Sequence, residues 1–157
     1  MHYRPTLGTL LRRLIEQLDG AVEASYAEDG LDYRPRYTPV VRALASGGPA
    51  TIRDLAAQTG VSHSATSQTI AQMTDRGLVT LTTGADARER IVALSDAARA
   101  MLPHLERRWA ATEAAANSID TDLGLPLADI VTQALAALDR QSFADRIRHS
   151  EAVLPET

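Results

Sequence analysis

The sequence predicts a mainly α-helical fold with one small two-stranded β-hairpin, and three observations support this prediction. Apolar residues recur at three- and four-residue steps over most of the 157-residue chain, which is the spacing of amphipathic helices. Ser, Thr and Pro stand where helices would begin, and Gly stands where they would end. Between Leu78 and Leu94 the pattern changes to β-branched and apolar residues around a turn, which indicates a hairpin.

The first predicted helix is long and amphipathic, and it runs from Thr6 to about Asp29. Its apolar stripe is wide for an isolated helix and consists of Leu7, Leu10, Leu11, Leu14, Ile15, Leu18 and Val22. A stripe of this width packs either under a neighbouring module or on another subunit. A connector follows, and Pro39 then opens a short helix that ends near Ala45.

The middle of the chain predicts two further short helices separated by a tight turn. Thr51 caps the first of them, and Gly60 ends it because glycine tolerates the left-handed conformation of a helix stop. Ser62 caps the second helix, which runs to about Arg76 ahead of Gly77.

The second of these helices has an informative predicted outer face. Its inward positions are Val61, Ala65, Ile70, Met73 and Leu78. The outward positions carry hydroxyl, imidazole and amide side chains, namely His63, Ser64, Ser67, Gln68 and Gln72. Such groups can meet base edges and phosphates of a nucleic acid. The alternative is that the serines and threonines serve only as helix caps.

The hairpin supports the interpretation that this part of the chain contacts nucleic acid. Its strands are Leu78 to Thr83 and Glu89 to Leu94, and the turn between them carries Asp86 and Arg88, with Arg90 on the returning strand. A helix-turn-helix followed by a hairpin with arginines near its tip is a layout that docks on DNA. The alternative is a solvated turn for Asp86 and Arg88, and a strand-edge charge for Arg90.

This part of the chain resembles the winged helix-turn-helix of the MarR family of bacterial transcription regulators. The resemblance rests on DLAAQTGVSHSATSQTIAQMTDRGLV, on the D-x-R turn Asp86-Ala87-Arg88, and on the strand IVALS that leads into a long helix. It implies a winged helix-turn-helix fold with N- and C-terminal dimerisation helices. Residues 1–38 and 95–157 would form the helical dimerisation region, and residues 39–94 the DNA-binding region.

The resemblance also implies a function. The chain would be a repressor that binds a pseudo-palindromic operator in double-stranded DNA as a homodimer. The residues expected to contact DNA are Ser62, His63, Ser64, Ser67, Gln68, Gln72, Asp86, Arg88 and Arg90. A winged helix that binds a protein partner and no DNA is the alternative, because the second helix of the motif is weakly basic and lacks Lys.

A small-molecule effector of unknown identity is implied as well, with an anionic or aromatic structure. It would bind between the DNA-binding region and the dimerisation region and change the distance between the two recognition helices of the dimer. The residues expected to contact it are Tyr33, Tyr37, His104 and Trp109. The alternative for the tyrosines is that they only fill the core.

The C-terminal part of the chain predicts two more helices. The first runs from Ser95 to about Asn117 and contains Pro103, which is expected to bend it. Pro126 then starts a final helix that continues to about Ile147 and has an apolar face.

The charge of the chain is unevenly distributed. The net charge is −4, but residues 34–94 contain seven arginines against four acidic residues, whereas residues 1–33 and 95–157 are net acidic. A positive middle between acidic ends directs a polyanion to residues 34–94. With no cysteine in the chain, disulfides, cysteine–metal sites and thiol redox sensing are excluded.

Several other classes of function find no support. The chain has no membrane-length apolar run and no signal-peptide pattern, so a cytoplasmic protein is expected. It has no phosphate-binding loop, nucleophile elbow or paired-carboxylate motif, so neither catalysis nor a cofactor is expected. Asp145 and His149 have metal-ligand spacing but no third ligand nearby, and an enzyme using His104 or His149 ranks far below the other readings.

Overall fold

The computed structural model of the chain describes residues 4–84 and 89–153, and over these residues seven α-helices accompany one three-stranded sheet. The mainly helical prediction is therefore confirmed. The helices are α1 Leu7–Glu28, α2 Thr38–Gly47, α3 Ile52–Thr59, α4 His63–Asp75, α5 Asp96–Leu123, α6 Leu127–Arg140 and α7 Phe143–Glu151.

The ends of α3 and α4 follow the predicted capping residues. The Thr51 hydroxyl accepts a hydrogen bond from the Asp54 backbone N–H at 3.1 Å and donates one to the Asp54 carboxylate at 2.7 Å. Ser62 caps α4 by accepting from the Ala65 backbone N–H at 3.3 Å. Gly60, with φ of 67°, ends α3 in the left-handed conformation that favours glycine.

The sheet corrects the prediction of a two-stranded wing. The predicted hairpin is present as β2 Val79–Thr83 and β3 Arg90–Leu94, but a third strand, β1 Ala50–Thr51, pairs antiparallel with the other side of β3. The strand order is β1-β3-β2. Two residues carry no periodic pattern, so a strand this short has no signal of its own. Thr51 is both the last residue of β1 and the N-cap of α3.

The chain forms two compact units, Met1–Ala110 and Ala111–Thr157. In the first unit, α3, α4 and the sheet share a core in which Leu55, Met73 and Val92 are fully buried. Val61, predicted to be inward, is 40% exposed. Thr66 is 1% exposed, and it lies four residues before Ile70 and seven before Met73, on the buried side of α4.

Aromatic and charged contacts hold the end of α1 in the first unit. Tyr33 lies between Tyr26 and Tyr37 in two edge-to-face contacts, with ring centroids 4.9 and 5.7 Å apart. Arg108 of α5 donates two hydrogen bonds to the Asp29 carboxylate, at 2.6 and 2.5 Å. These contacts join the C-terminal end of α1 to the α2 region and to α5.

The C-terminal helices differ from the prediction in two ways. Helix α5 continues to Leu123, beyond the expected end near Asn117, with Pro103 inside it as predicted. The single final helix expected to reach Ile147 is two helices, because Ser142 starts a new one by accepting from the Asp145 backbone N–H at 3.1 Å. The apolar spacing continues across this break, so periodicity alone did not reveal it.

Both units have exposed apolar residues on their helices. On α1, Leu7 is 70% and Ile15 is 56% exposed, and on α6, Leu135 is 59% exposed. Burial of such side chains is normally favourable, so faces of this kind mark interaction surfaces. Within the described part of the chain, no helix has the length and apolarity needed to cross a membrane.

Candidate functional site

Helix α4 presents most of its predicted polar face to solvent. Its buried side is Thr66, Ile70 and Met73. Ser62, His63, Ser64 and Gln68 are exposed, and Ser67 is half-buried. The structure therefore places five of the six predicted α4-side residues together on one accessible surface, in positions where hydroxyl, imidazole and amide groups can reach a ligand.

Gln72 differs from the other predicted residues of α4. It is half-buried, and its side-chain carbonyl oxygen is buried without a hydrogen-bond partner among the described residues. An unpaired buried acceptor is costly, so Gln72 differs in its surroundings from the exposed polar residues of α4.

The hairpin carries the remaining predicted contacts. Arg90 is exposed at the start of β3, opposite Thr83 of β2. The Gly84 backbone N–H donates to the Glu89 carbonyl at 2.9 Å and closes the pairing on the tip side. Asp86 and Arg88 lie outside the described residues.

The structure brings His63 and Arg90 together in a cleft of about 270 Å³, which we call the wing-base cleft. Its lining consists of Thr51, Ile52, Arg53, His63, Glu89 and Arg90. Arg53 is a residue that sequence reasoning missed. Its side chain is 77% exposed and lies 3.7 Å from the Glu89 carboxylate. The excess of arginine in the middle of the chain was the available signal, but it did not single out this position.

The predicted effector residues fall into different surroundings. Tyr33 and Tyr37 are buried and belong to the hydrophobic core of the first unit. The Tyr33 hydroxyl donates to Thr38 at 3.3 Å, and burial raises the pKa of this phenol well above its ordinary value. The Tyr37 hydroxyl is also buried but has no hydrogen-bond partner among the described residues.

Trp109 shows a similar unpaired group. It is 8% exposed, and its indole N–H is buried without a hydrogen-bond partner among the described residues. The Arg42 guanidinium lies over its ring, 4.8 Å from the centroid, which is a cation–π geometry. Arg42 is a second residue that sequence reasoning missed.

His104 has separate neighbours. It is exposed on α5, and its Nδ1 is 2.8 Å from the Arg107 guanidinium. The structure thus brings Tyr33 to Tyr37 and brings Arg42 to Trp109, and it places His104 on the solvent side of α5.

Asp145 and His149 have the spacing of metal ligands, but the contacts of Asp145 are those of a helix start. Asp145 accepts a hydrogen bond from the Ser142 hydroxyl at 2.6 Å and pairs with Arg148, and both contacts lower the pKa of its carboxyl group. Over residues 4–84 and 89–153, no group of three or more metal-ligating side chains comes together.

Comparison with known proteins gives one family match. Residues 30–89 match a model described as the MarR family. This stretch includes α2, the helix-turn-helix formed by α3 and α4, the whole of β2 and the turn of the hairpin. No sequence match is found among curated proteins.

Several solved structures have a similar fold over most of their length. The Mycobacterium tuberculosis regulator MOSR, in complex with DNA, has a TM-score of 0.69 and 24% identity, covering 87% of this chain and 99% of that one. PcaV of Streptomyces coelicolor, bound to its natural ligand, has a TM-score of 0.59 and 18% identity, with coverage of 98% and 99%. BpsR of Bordetella bronchiseptica has a TM-score of 0.54 and 22% identity, with coverage of 71% and 82%, and its DNA binding is regulated by 6-hydroxynicotinic acid.

Proposed function

We propose that the chain is a winged helix-turn-helix transcription regulator of the MarR family, a non-enzymatic family whose model matches residues 30–89, and that it binds a pseudo-palindromic operator as a homodimer and represses transcription from it. The observation that carries the proposal is the exposed face of α4, which begins at a capped N-terminus and presents short polar groups instead of paired charges. Such a face can enter a major groove without filling it.

We assign the contacts within one half of the operator by chemistry. Ser64, Ser67 and Gln68 contact base edges, and His63, at the N-terminus of α4, contacts a phosphate. Gln72 contacts the same groove one turn further along, once its half-buried side chain turns outward.

The wing completes the proposed contacts. Arg88 enters the minor groove, where the negative potential favours a guanidinium. Asp86 orients that side chain, and Arg90 contacts a phosphate.

The homodimer is supported by the exposed apolar faces of α1 and α6. We propose that residues 1–38 and 95–157 form the dimerisation region and that residues 39–94 form the DNA-binding region. Two-fold symmetry would then match the two halves of the operator, whose centres lie about one helical turn, roughly 34 Å, apart. A regulator of chromosomal genes shares a compartment with the DNA, so a cytoplasmic location is part of the proposal.

A small-molecule effector is proposed on the basis of two unsatisfied groups. The Tyr37 hydroxyl and the Trp109 indole N–H are buried without partners among the described residues, and Arg42 adds a cation beside Trp109. An aromatic acid supplies both a carboxylate for the guanidinium and acceptors for these donors. His104 and Tyr33 complete the proposed effector residues.

DNA binding is tested with the protein and a labelled fragment of the DNA upstream of its own gene, using fluorescence anisotropy. Binding that is much tighter than to a shuffled fragment of equal length is expected. Equal affinity for both fragments at every salt concentration would contradict operator recognition, and absence of binding to both would favour the alternative of a protein-interaction module.

The effector proposal is tested by titrating aromatic carboxylic acids and following Trp109 fluorescence together with release of bound DNA. Tyr37→Phe removes only the unpaired hydroxyl and should weaken the response to the acid. Tyr26→Phe is the matched control, because it removes the same hydroxyl from a neighbouring buried tyrosine that is not a proposed effector residue. A dose response that is unchanged in both Tyr37→Phe and Arg42→Ala would place the ligand elsewhere.

A further inference from the structure

The wing-base cleft combines two predicted DNA contacts, His63 and Arg90, with Arg53 and Glu89, which the prediction did not include. It lies where three separate segments meet, namely the start of α3, the first residue of α4 and the base of the hairpin. Arg53 reaches it from the first of these segments, His63 from the second, and Glu89 and Arg90 from the third.

The helices surrounding the cleft favour an anion. Both α3 and α4 begin at it, since Ile52 is the first residue of α3 and His63 is the first residue of α4. The N-terminus of a helix carries a partial positive charge and directs backbone N–H groups outward. Two such ends at one cleft add to the charge of its side chains.

Three side chains of the lining carry hydrogen-bond donors that a phosphodiester can accept. Arg53 and Arg90 each present a planar guanidinium that can donate two parallel hydrogen bonds to phosphate oxygens. The His63 imidazole has at least one N–H donor in either protonation state. Glu89 is the one carboxylate of the lining, and the Asp54 carboxylate lies 4.0 Å from Arg53. The two guanidinium groups balance these two carboxylates, and the helix N-termini leave the cleft favourable to an anion.

The ion pair between Glu89 and Arg53 is weak. The two side chains are 3.7 Å apart, and Arg53 lies 4.0 Å from Asp54, so both separations exceed a normal hydrogen bond. The Arg53 and Glu89 side chains are 77% and 40% exposed. An exposed pair of this kind contributes little to stability, so an incoming phosphate can replace the carboxylate at small cost.

We propose that Arg53, His63 and Arg90 form a binding site for one backbone phosphodiester of DNA, and that Glu89 weakens this site by pairing with Arg53 until the phosphate displaces it. The inference rests on the proposed DNA-binding function and extends it to Arg53 and Glu89. Phosphate contacts position a protein on the duplex without reading its sequence.

The test measures affinity for the operator and for unrelated DNA at several salt concentrations. Arg53→Ala should weaken both by about tenfold and lower the salt slope by about 0.9, since one phosphate contact is lost. Arg99→Ala is the matched control, because it removes an exposed arginine outside the cleft. Circular dichroism verifies the fold of each variant.

Glu89 is tested by a double-mutant cycle. Glu89→Gln should tighten binding by about threefold in the parent and by nothing in the Arg53→Ala background. A gain of equal size in both backgrounds would show that Glu89 repels DNA independently, which would overturn its pairing role.

The outcomes distinguish a failure of the proposed DNA-binding function from a failure of this inference alone. A parent protein that binds no DNA overturns the proposed function and this inference together. A parent that binds DNA, with Arg53→Ala at parental affinity and slope, overturns the inference alone. Inorganic phosphate that displaces DNA at millimolar concentration and constant ionic strength would assign the cleft to a free anion instead of the DNA backbone.

Discussion

Gln68 and Gln72 carry the same amide on one helix, but their surroundings differ. Gln68 is exposed, whereas Gln72 is half-buried with an unpaired carbonyl oxygen. A bidentate amide–adenine contact contributes to discrimination between base pairs. An exposed amide can swing into this geometry freely, so Gln68 is the better candidate for reading a base.

We therefore expect Gln68→Ala to cost about 1–3 kcal/mol on the operator and little on random DNA. The measurement is the difference in binding free energy between the two DNAs at one salt concentration. An equal loss on both would assign Gln68 to the DNA backbone.

In the turn of the wing, Arg88 and Asp86 are expected to differ in how much they contribute to DNA affinity. Arg88→Ala should weaken binding strongly, most of all where the flanking DNA is rich in A·T, because a narrow minor groove attracts the guanidinium. Asp86→Ala should weaken it less, although it removes a negative charge. Tighter binding by Asp86→Ala would mean that this carboxylate only repels DNA.

The contact between Asp29 and Arg108 predicts that the stability of the fold depends on pH. The hydrogen bonds from Arg108 hold the pKa of the Asp29 carboxyl below its ordinary value of 3.8. A lowered folded-state pKa means that the stabilisation is fully present above 3.8 and is lost as the pH falls below it. Urea denaturation of the parent and of Asp29→Asn should therefore differ at neutral pH and converge in acid. A difference that persists unchanged in acid would contradict this assignment.

At the scale of elements, the boundaries that local chemistry determines were predictable. Thr51, Ser62 and Gly60 act within three or four residues of their own positions, and each cap lies where the sequence indicated. By capping α4, Ser62 also fixes the first turn of the helix, which carries proposed contacts to DNA.

Ser62→Ala should reduce the free energy of unfolding by about 0.5–2 kcal/mol, because the hydrogen bond to the Ala65 backbone N–H is lost. Thermal or urea denaturation measures this loss. Ser64→Ala is the matched control, since it removes the same hydroxyl two residues further along, from a side chain that does not cap the helix, and should change stability little. Similar losses in both variants would contradict a capping role for Ser62.

What the sequence could not predict depends on contacts between distant segments. Strand β1 exists because Ala50 and Thr51 meet Val92 and Ile91, about forty positions along the chain. The wing-base cleft likewise requires Arg53, His63 and Glu89 to converge, and no spacing in the sequence records that approach. The α4 face was predictable because one helix carries it entirely.

At the scale of the whole molecule, the exposed apolar faces predict a dimer. Leu135, 59% exposed, lies on α6 among other exposed apolar residues. Burying such a face in a subunit interface is favourable and makes stability depend on protein concentration. Deletion of residues 127–157 should therefore give an aggregated or unfolded product, and a folded monomer after that truncation would contradict the proposal.

A single substitution makes the same test more specific. Leu135→Glu places a charge in the proposed interface and should shift the protein towards monomer in sedimentation experiments. Gln133→Glu adds the same charge at a polar position of α6 and should leave the dimer intact. A parent protein that sediments as a monomer at all concentrations would exclude the dimer.

The pairing of β3 with both β1 and β2 has a consequence for the way in which the protein selects its target. Thr51 ends β1 and starts α3, so the base of the wing cannot pivot without breaking backbone hydrogen bonds beside the helix-turn-helix. In the proposed complex, the offset between the minor-groove and major-groove contacts is thus fixed by the protein. Any mismatch in groove width must be taken up by bending the double helix, so duplex stiffness itself becomes part of the discrimination.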